Sequence, residues 1–140
     1  MSAINCNVKV RYSEVGAEGI VYYANYFSWY ELTQYEYLTK CGLTYDELSN
    51  RGVRFVVVDI KTRFAYPVRM DDVLRVEMYV RRVNNIKVSV DFEIVRIKDN
   101  KKVASTSAVY ACVGTDLKPK LINKTLPELY FALNRDVEEK

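Results

Sequence analysis

YYANYFSWYELTQYEYLTK, residues 22–40, is the stretch that decides the fold. It contains neither glycine nor proline and reads as one helix. Leu32, Leu38 and the aromatics at 22, 23, 26, 27, 29, 30, 35 and 37 leave few polar positions early in it. A helix apolar nearly all round is expected to be buried on most sides. Gly42 is placed to end it. Thr44-Tyr45-Asp46-Glu47 then has capping-box spacing, predicting a short second helix to Asn50 that Gly52 closes.

Outward from the helix the period changes to two. Residues 7–12 (NVKVRY) alternate apolar and polar and predict a first strand, and 13–21 (SEVGAEGIV) break the pattern. Downstream, 55–66 reads as a strand ended by Pro67, and Asp71-Asp72 turns the chain. Leu74, Val76, Met78 and Val80 alternate with Arg75, Glu77, Tyr79 and Arg81, and Asn84-Asn85 signals a two-residue hairpin. Ile86 to Ile94 alternates as cleanly, Lys98-Asp99-Asn100-Lys101 turns again, and 103–113 forms a last long strand. Thr125-Leu126-Pro127-Glu128 has capping-box spacing for a C-terminal helix. The expected fold is α+β: one domain over residues 1–140, its aromatic helix wrapped by the apolar face of an antiparallel meander of four long strands.

Composition removes several mechanisms. Among 140 residues there is no histidine, so there is no Ser-His-Asp triad, no Cys-His pair, no His-ligated zinc and no imidazole base. Acid-base work falls to Asp, Glu, Tyr, Lys, backbone dipoles or water. The net charge of +3 is too small and too evenly mixed for a duplex nucleic-acid binder, and aromatics concentrated on a helix do not suit base stacking on a sheet. Three scattered cysteines, Cys6, Cys41 and Cys112, suit neither a metal site nor a disulfide framework and point to a reducing cytoplasm. No apolar h-region opens the chain and no run is long enough to span a membrane.

Gly16-Ala17-Glu18-Gly19 lacks the third glycine and the lysine of a nucleotide loop. Its place immediately before the long helix matters more, because N–H groups there are unpaired and carry the positive end of the helix dipole. A carbonyl oxygen set there is polarised as in an oxyanion hole.

Residues 11–31, RYSEVGAEGIVYYANYFSWYE, resemble the signature of the 4-hydroxybenzoyl-CoA thioesterase family of hotdog-fold proteins, and are especially similar to the acyl-CoA thioesterases associated with the Tol–Pal envelope system. Gly19-Ile20-Val21-Tyr22, Asn25-Tyr26 and Glu31 carry the resemblance, and Phe64 to Asp72 and Val113 to Pro119 extend it over roughly residues 7–128. It implies a hotdog fold, with the long helix inside an antiparallel sheet, assembled as a homodimer or homotetramer. It also implies an acyl-CoA or acyl-carrier-protein substrate, with coenzyme A present only as part of that substrate. The backbone N–H of Tyr23 is then the group that polarises the thioester carbonyl. The chain departs from the pattern at two positions: Gly16 stands where the family has its catalytic aspartate, and Tyr23 where a histidine is frequent. Three outcomes stay open: Glu14, Glu18 or Glu31 serves as base, the site works by oxyanion stabilisation and positioning, or the protein binds acyl thioesters silently or acts as an assembly module. Arg82, Lys87 and Ser89, flanking the Asn84-Asn85 turn, are the counterparts of the family's CoA-phosphate contacts.

Overall fold

The computed structural model describes residues 1–138. The order is β1 (Ile4–Lys9), a 3₁₀ turn (Tyr12–Glu14), α1 (Asn25–Lys40), α2 (Tyr45–Asn50), β2 (Val53–Phe64), β3 (Val73–Val83), β4 (Lys87–Arg96), β5 (Lys101–Gly114), α3 (Ile122–Thr125) and α4 (Pro127–Asp136). The strands form one five-stranded antiparallel sheet in the order β1-β3-β4-β5-β2. Only β3-β4-β5 is a meander: β2 crosses to the far edge and pairs with β5, correcting the four-strand meander expected from the sequence. The predicted strand at 7–12 sits instead at Ile4–Lys9, because from Val10 the chain turns into the 3₁₀ segment.

Alternation sorts the sheet into two faces. Leu74, Val76, Met78, Val80, Val88, Val90, Phe92 and Ile94 form the buried floor. The other face carries ion pairs such as Arg81–Asp91 (3.0 Å) and Lys102–Glu93 (3.1 Å). On α1 only one stripe, Tyr26, Trp29, Tyr30, Thr33, Tyr37 and Leu38, is buried. Phe27, Leu32 and Tyr35 stay exposed, so the expectation of burial nearly all round fails for a single chain.

Local signals read well at α2, where Thr44 accepts the Glu47 N–H (3.1 Å), and at Gly42 and Gly52, whose φ of +82° and +72° end their helices. They fail at two sites. Asn84 Oδ1 accepts the N–H groups of Ile86 and Lys87 (2.8 and 2.7 Å), giving a longer side-chain-closed turn in place of a two-residue hairpin. Thr125 does not cap α4: it ends α3, and its hydroxyl bonds the Leu121 carbonyl (2.8 Å).

Candidate active site

The loop before α1 is held by one carboxylate. Glu14 is 5% exposed. Its Oε1 accepts the Arg11 N–H (2.9 Å), and its Oε2 accepts the Trp29 indole N–H (2.9 Å) and Arg11 Nη2 (3.3 Å). Its carbonyl accepts the Tyr22 N–H (3.1 Å) and Asn25 Nδ2 (2.9 Å). Burial pushes the carboxyl up, but these donors outweigh it and the net shift is downward. Beyond this anchor, residues 15–21 fold back on themselves. Gly16 donates to the Ile20 carbonyl (2.9 Å), Gly19 to the Gly16 carbonyl (3.0 Å), and Gly19 takes φ +79°. Val21 then docks on Val68 (2.8 Å).

This anchoring sets the head of α1. The N–H groups of Asn25, Tyr26 and Phe27 turn back to the carbonyls of Tyr22, Tyr23 and Ala24 (3.0, 3.2 and 3.2 Å). No side chain caps the helix and no acid lies in its first turn. Tyr22 N–H is taken by Glu14, which leaves the N–H groups of Tyr23 and Ala24 without an acceptor among the described residues. Two adjacent free donors at the positive end of a sixteen-residue helix suit a carbonyl oxygen on which negative charge develops. The Tyr23 ring is 59% exposed and lies 6.4 Å from the ring of Phe64.

Beside α1 lies a cavity of about 790 Å³, within the size range of small-molecule sites. α1 rests over β1, β3 and β4, where Tyr30 stacks on Phe92 (4.5 Å) and Lys40 reaches the Ala3 carbonyl (2.7 Å). The inner face of β2 is left exposed at Val57, Ile60 and Phe64, and α2 closes the space from the side. Along α1 the wall residues Phe27, Tyr30, Glu31, Gln34, Tyr37 and Leu38 fall at three- and four-residue intervals, one continuous face that climbs about 16 Å. Tyr23, one turn before Phe27, continues that face toward the free donors. Burial pushes the phenols of Tyr30 and Tyr110 up to about 12, so both act there as neutral hydroxyls.

The sequence candidates divide. Gly16, Glu18 and Tyr23 lie in the one loop-to-helix segment, with Glu18 exposed on the turn and without a hydrogen bond among the described residues. Glu14 is in the same loop but already engaged by Arg11 and Trp29. Glu31 lines the cavity, two helical turns from Tyr23, about 12 Å along the axis. Arg82 and Ser89 pair across β3 and β4, and Lys87 shares their solvent face. That set stands at the opposite end of the sheet: Phe64, beneath Tyr23, is tied through Ala104 to Ile94, about 17 Å along β4 from Ser89. One chain alone does not bring it to the Tyr23 donors. The sequence reading missed the second free donor, at Ala24, and the contact of Gln34 with Tyr110 inside the cavity. The signal for the latter was present, since Tyr110 falls in the inward phase of β5 with Thr106 and Ala108.

Comparison with known proteins agrees with this geometry. The family described as thioesterase superfamily matches residues 18–104, from the glycine loop through the start of β5. An acyl-CoA thioesterase (YbgC) of Haemophilus influenzae is 28% identical over 128 residues, covering 90% of this chain and 93% of that protein. An acyl-CoA thioester hydrolase (YbgC) of Escherichia coli is 26% identical over 120 residues, covering 85% and 89%. Among solved structures, a DHNA-CoA thioesterase from Staphylococcus aureus superposes with a TM-score of 0.87 at 20% identity, covering 94% of this chain and 88% of that one, a likeness of fold. With the matched segment spanning both the donor-bearing loop and most of the sheet, the chain belongs to the thioesterase superfamily and has its hotdog fold.

Proposed function

We propose that this protein hydrolyses acyl-CoA thioesters, as the names of its relatives from E. coli and H. influenzae describe for those proteins. The observation that carries the reading is the pair of free N–H groups at Tyr23 and Ala24, one helical turn from the cavity wall at Phe27. The thioester carbonyl oxygen accepts both N–H groups and the acyl group lies along α1. Water adds to the carbonyl carbon, the oxyanion is held by the two donors and the helix dipole, and the C–S bond breaks. The CoA thiolate leaves and takes up the proton that the water gives up. Coenzyme A enters as part of the substrate, and no further cofactor is needed. Among the described residues no helix is long and apolar enough to cross a membrane. We place the protein in the cytoplasm, where CoA thioesters are at hand.

The same reading includes a homodimer. β2 is a sheet edge whose Val57, Val58, Ile60 and Phe64 are all exposed. A long apolar edge is a template for another strand, and the occupant proposed here is β2 of a second copy. That pairing sets a second α1 beside the first, which matters for the base: at about 12 Å along the helix, Glu31 does not touch a carbonyl held by Tyr23 of its own chain.

A panel of acyl-CoAs incubated with purified protein and a thiol reagent tests the proposal. Steady release of CoA thiol from at least one member is expected. Saturable CoA binding with no release from any member would sink the hydrolase reading. It would favour the silent-binding alternative.

A further inference from the structure

The cavity beside α1 has two unlike ends. Toward Tyr23 its wall is Phe27, Glu31 and Ile60, all exposed. At the other end Leu38, Leu48, Val53, Leu129 and Leu133 line it, all buried and apolar. Three contacts fix the order between them. The Tyr26 ring meets the Phe64 ring (5.0 Å), the Tyr30 hydroxyl accepts from Thr106 (2.7 Å), and Gln34 Nε2 donates to the Tyr110 hydroxyl. Thr106 pairs with Thr62 and Tyr110 with Val57, so advancing along α1 retraces β2 from Phe64 toward Val53. The Gln34–Tyr110 bond therefore falls between the two ends. It runs from the helix wall to the sheet wall of the cavity.

We infer that the Gln34–Tyr110 bridge partitions the acyl site and determines its specificity, holding a compact acyl group on the exposed side and resisting chains that must pass into the buried apolar end. The inference rests on the reading of the cavity as an acyl thioester site. A tail that threads past the bridge has to part the amide from the phenol and leave both facing hydrocarbon. Half-buried groups stripped of their partner in this way disfavour passage by about tenfold or more. Beyond the bridge, the leucine-rich end offers a long tail apolar contact that it gains in full only when the bridge is gone. Short aliphatic and single-ring aromatic acyl groups never meet this obstacle. The substrate class assigned is thus the compact acyl thioester, with Gln34 and Tyr110 as its length-setting pair.

Butyryl-, benzoyl- and lauroyl-CoA are the probes, with the full-length protein and its Gln34→Ala and Tyr110→Phe variants. The wild type should favour butyryl- and benzoyl-CoA over lauroyl-CoA in kcat/KM. Each variant should raise the lauroyl-to-butyryl ratio about tenfold, the change appearing in KM for lauroyl-CoA and little in kcat. Tyr110→Phe keeps the ring and its packing, so a shift there reads the lost hydrogen bond and not a collapsed wall. Calorimetric binding of the non-hydrolysable butyryl and lauroyl thioether analogues measures the same ratio without turnover. A shifted binding ratio in a protein that hydrolyses nothing upholds the partition while overturning the hydrolase reading. A ratio unchanged in the variants, a wild-type preference for lauroyl-CoA, or no binding of either analogue overturns the partition.

Discussion

A buried carboxylate beside an active-site loop invites assignment as a base, and Glu14 shows why hydrogen bonds decide the matter. Its oxygens accept from Arg11 and Trp29, its carbonyl from Tyr22 and Asn25, and so a single residue ties the 3₁₀ turn, the glycine loop and α1 together. Its folded-state pKa lies below the ordinary 4.5, so the unfolded chain binds the proton more readily. The stability it contributes is complete above the unfolded value and is lost as the pH falls through the folded one. Glu14→Gln sets an amide N–H against the Arg11 donors and should cost about 1.5–3 kcal/mol at neutral pH. The gap between variant and wild type should close in acid. Trp29 is the sole tryptophan of the chain, so its fluorescence during denaturant and pH titration reports this bond directly; an equal loss at pH 3 and pH 7 would refute the electrostatic part. Two residues on, Gly16, where the sequence resemblance leads one to expect an aspartate, has φ outside the left-handed region. A Cβ built there meets only the Ile20 carbonyl oxygen, at 3.5 Å, an ordinary contact. Gly16→Asp should fold with a melting temperature near that of the wild type and raise thioester hydrolysis at least about tenfold, the usual scale of a positioned general base being larger still. Unchanged or lower activity in a folded variant would mean that the base lies elsewhere.

At the scale of the elements, what the sequence showed depended on how local the cause was. Thr44, Gly42 and Gly52 act within their own turns, and each was readable as a cap or terminator before any tertiary contact was known. Thr125 has the same spacing, yet the chain coils one turn earlier into α3, because Ile122 is drawn into the core and its N–H to the Asn85 carbonyl (2.6 Å). That contact lies far off in sequence and no local pattern announces it. Residues 22–24 suit a helix by their pattern yet lie before it, for the same reason in reverse. Glu14, eight positions upstream of Tyr22, captures its N–H and delays the helix to Asn25. This delay is what leaves two donors free. The motif resemblance leads one to expect a donor at Tyr23, and the second free N–H, at Ala24, follows only from the tertiary anchor. β2 is the largest discrepancy of placement. Its period of two fixed it as a strand, but strand order is set by which edge the chain reaches after α2, and a 12-residue strand satisfies the pattern equally well beside β3 or β5.

For the whole molecule, the edge position of β2 turns a list of exposed apolar residues into a statement about assembly. Val57, Val58, Ile60 and Phe64 lie on the last strand of the sheet, beside the open side of the cavity and the exposed Phe27 of α1. A monomer presenting such an edge to water has both unpaired backbone groups and apolar surface to satisfy, and one antiparallel β2–β2 contact about a twofold axis satisfies both. In the proposed dimer association contributes to folding by mass action, so the melting temperature should climb as protein concentration rises from micromolar to hundreds of micromolar. Val58 is the position at which to test this. It is 52% exposed, it sits in the irregularity of the β2–β5 register between Val57 and Asp59, and it does not line the cavity. A lysine there places a charge on the edge without touching the floor of the acyl site. In sedimentation velocity the wild type should run at twice the chain mass, and Val58→Lys should run as the single chain with a melting temperature that no longer depends on concentration. Activity separates the remaining possibilities. If one chain forms a complete site, the monomeric variant keeps its turnover; if the second α1 completes it, as the separation of Glu31 from Tyr23 requires for Glu31 to act as base, turnover falls with the dimer. A wild type that sediments as a single chain at every concentration removes both the dimer and that route to the base.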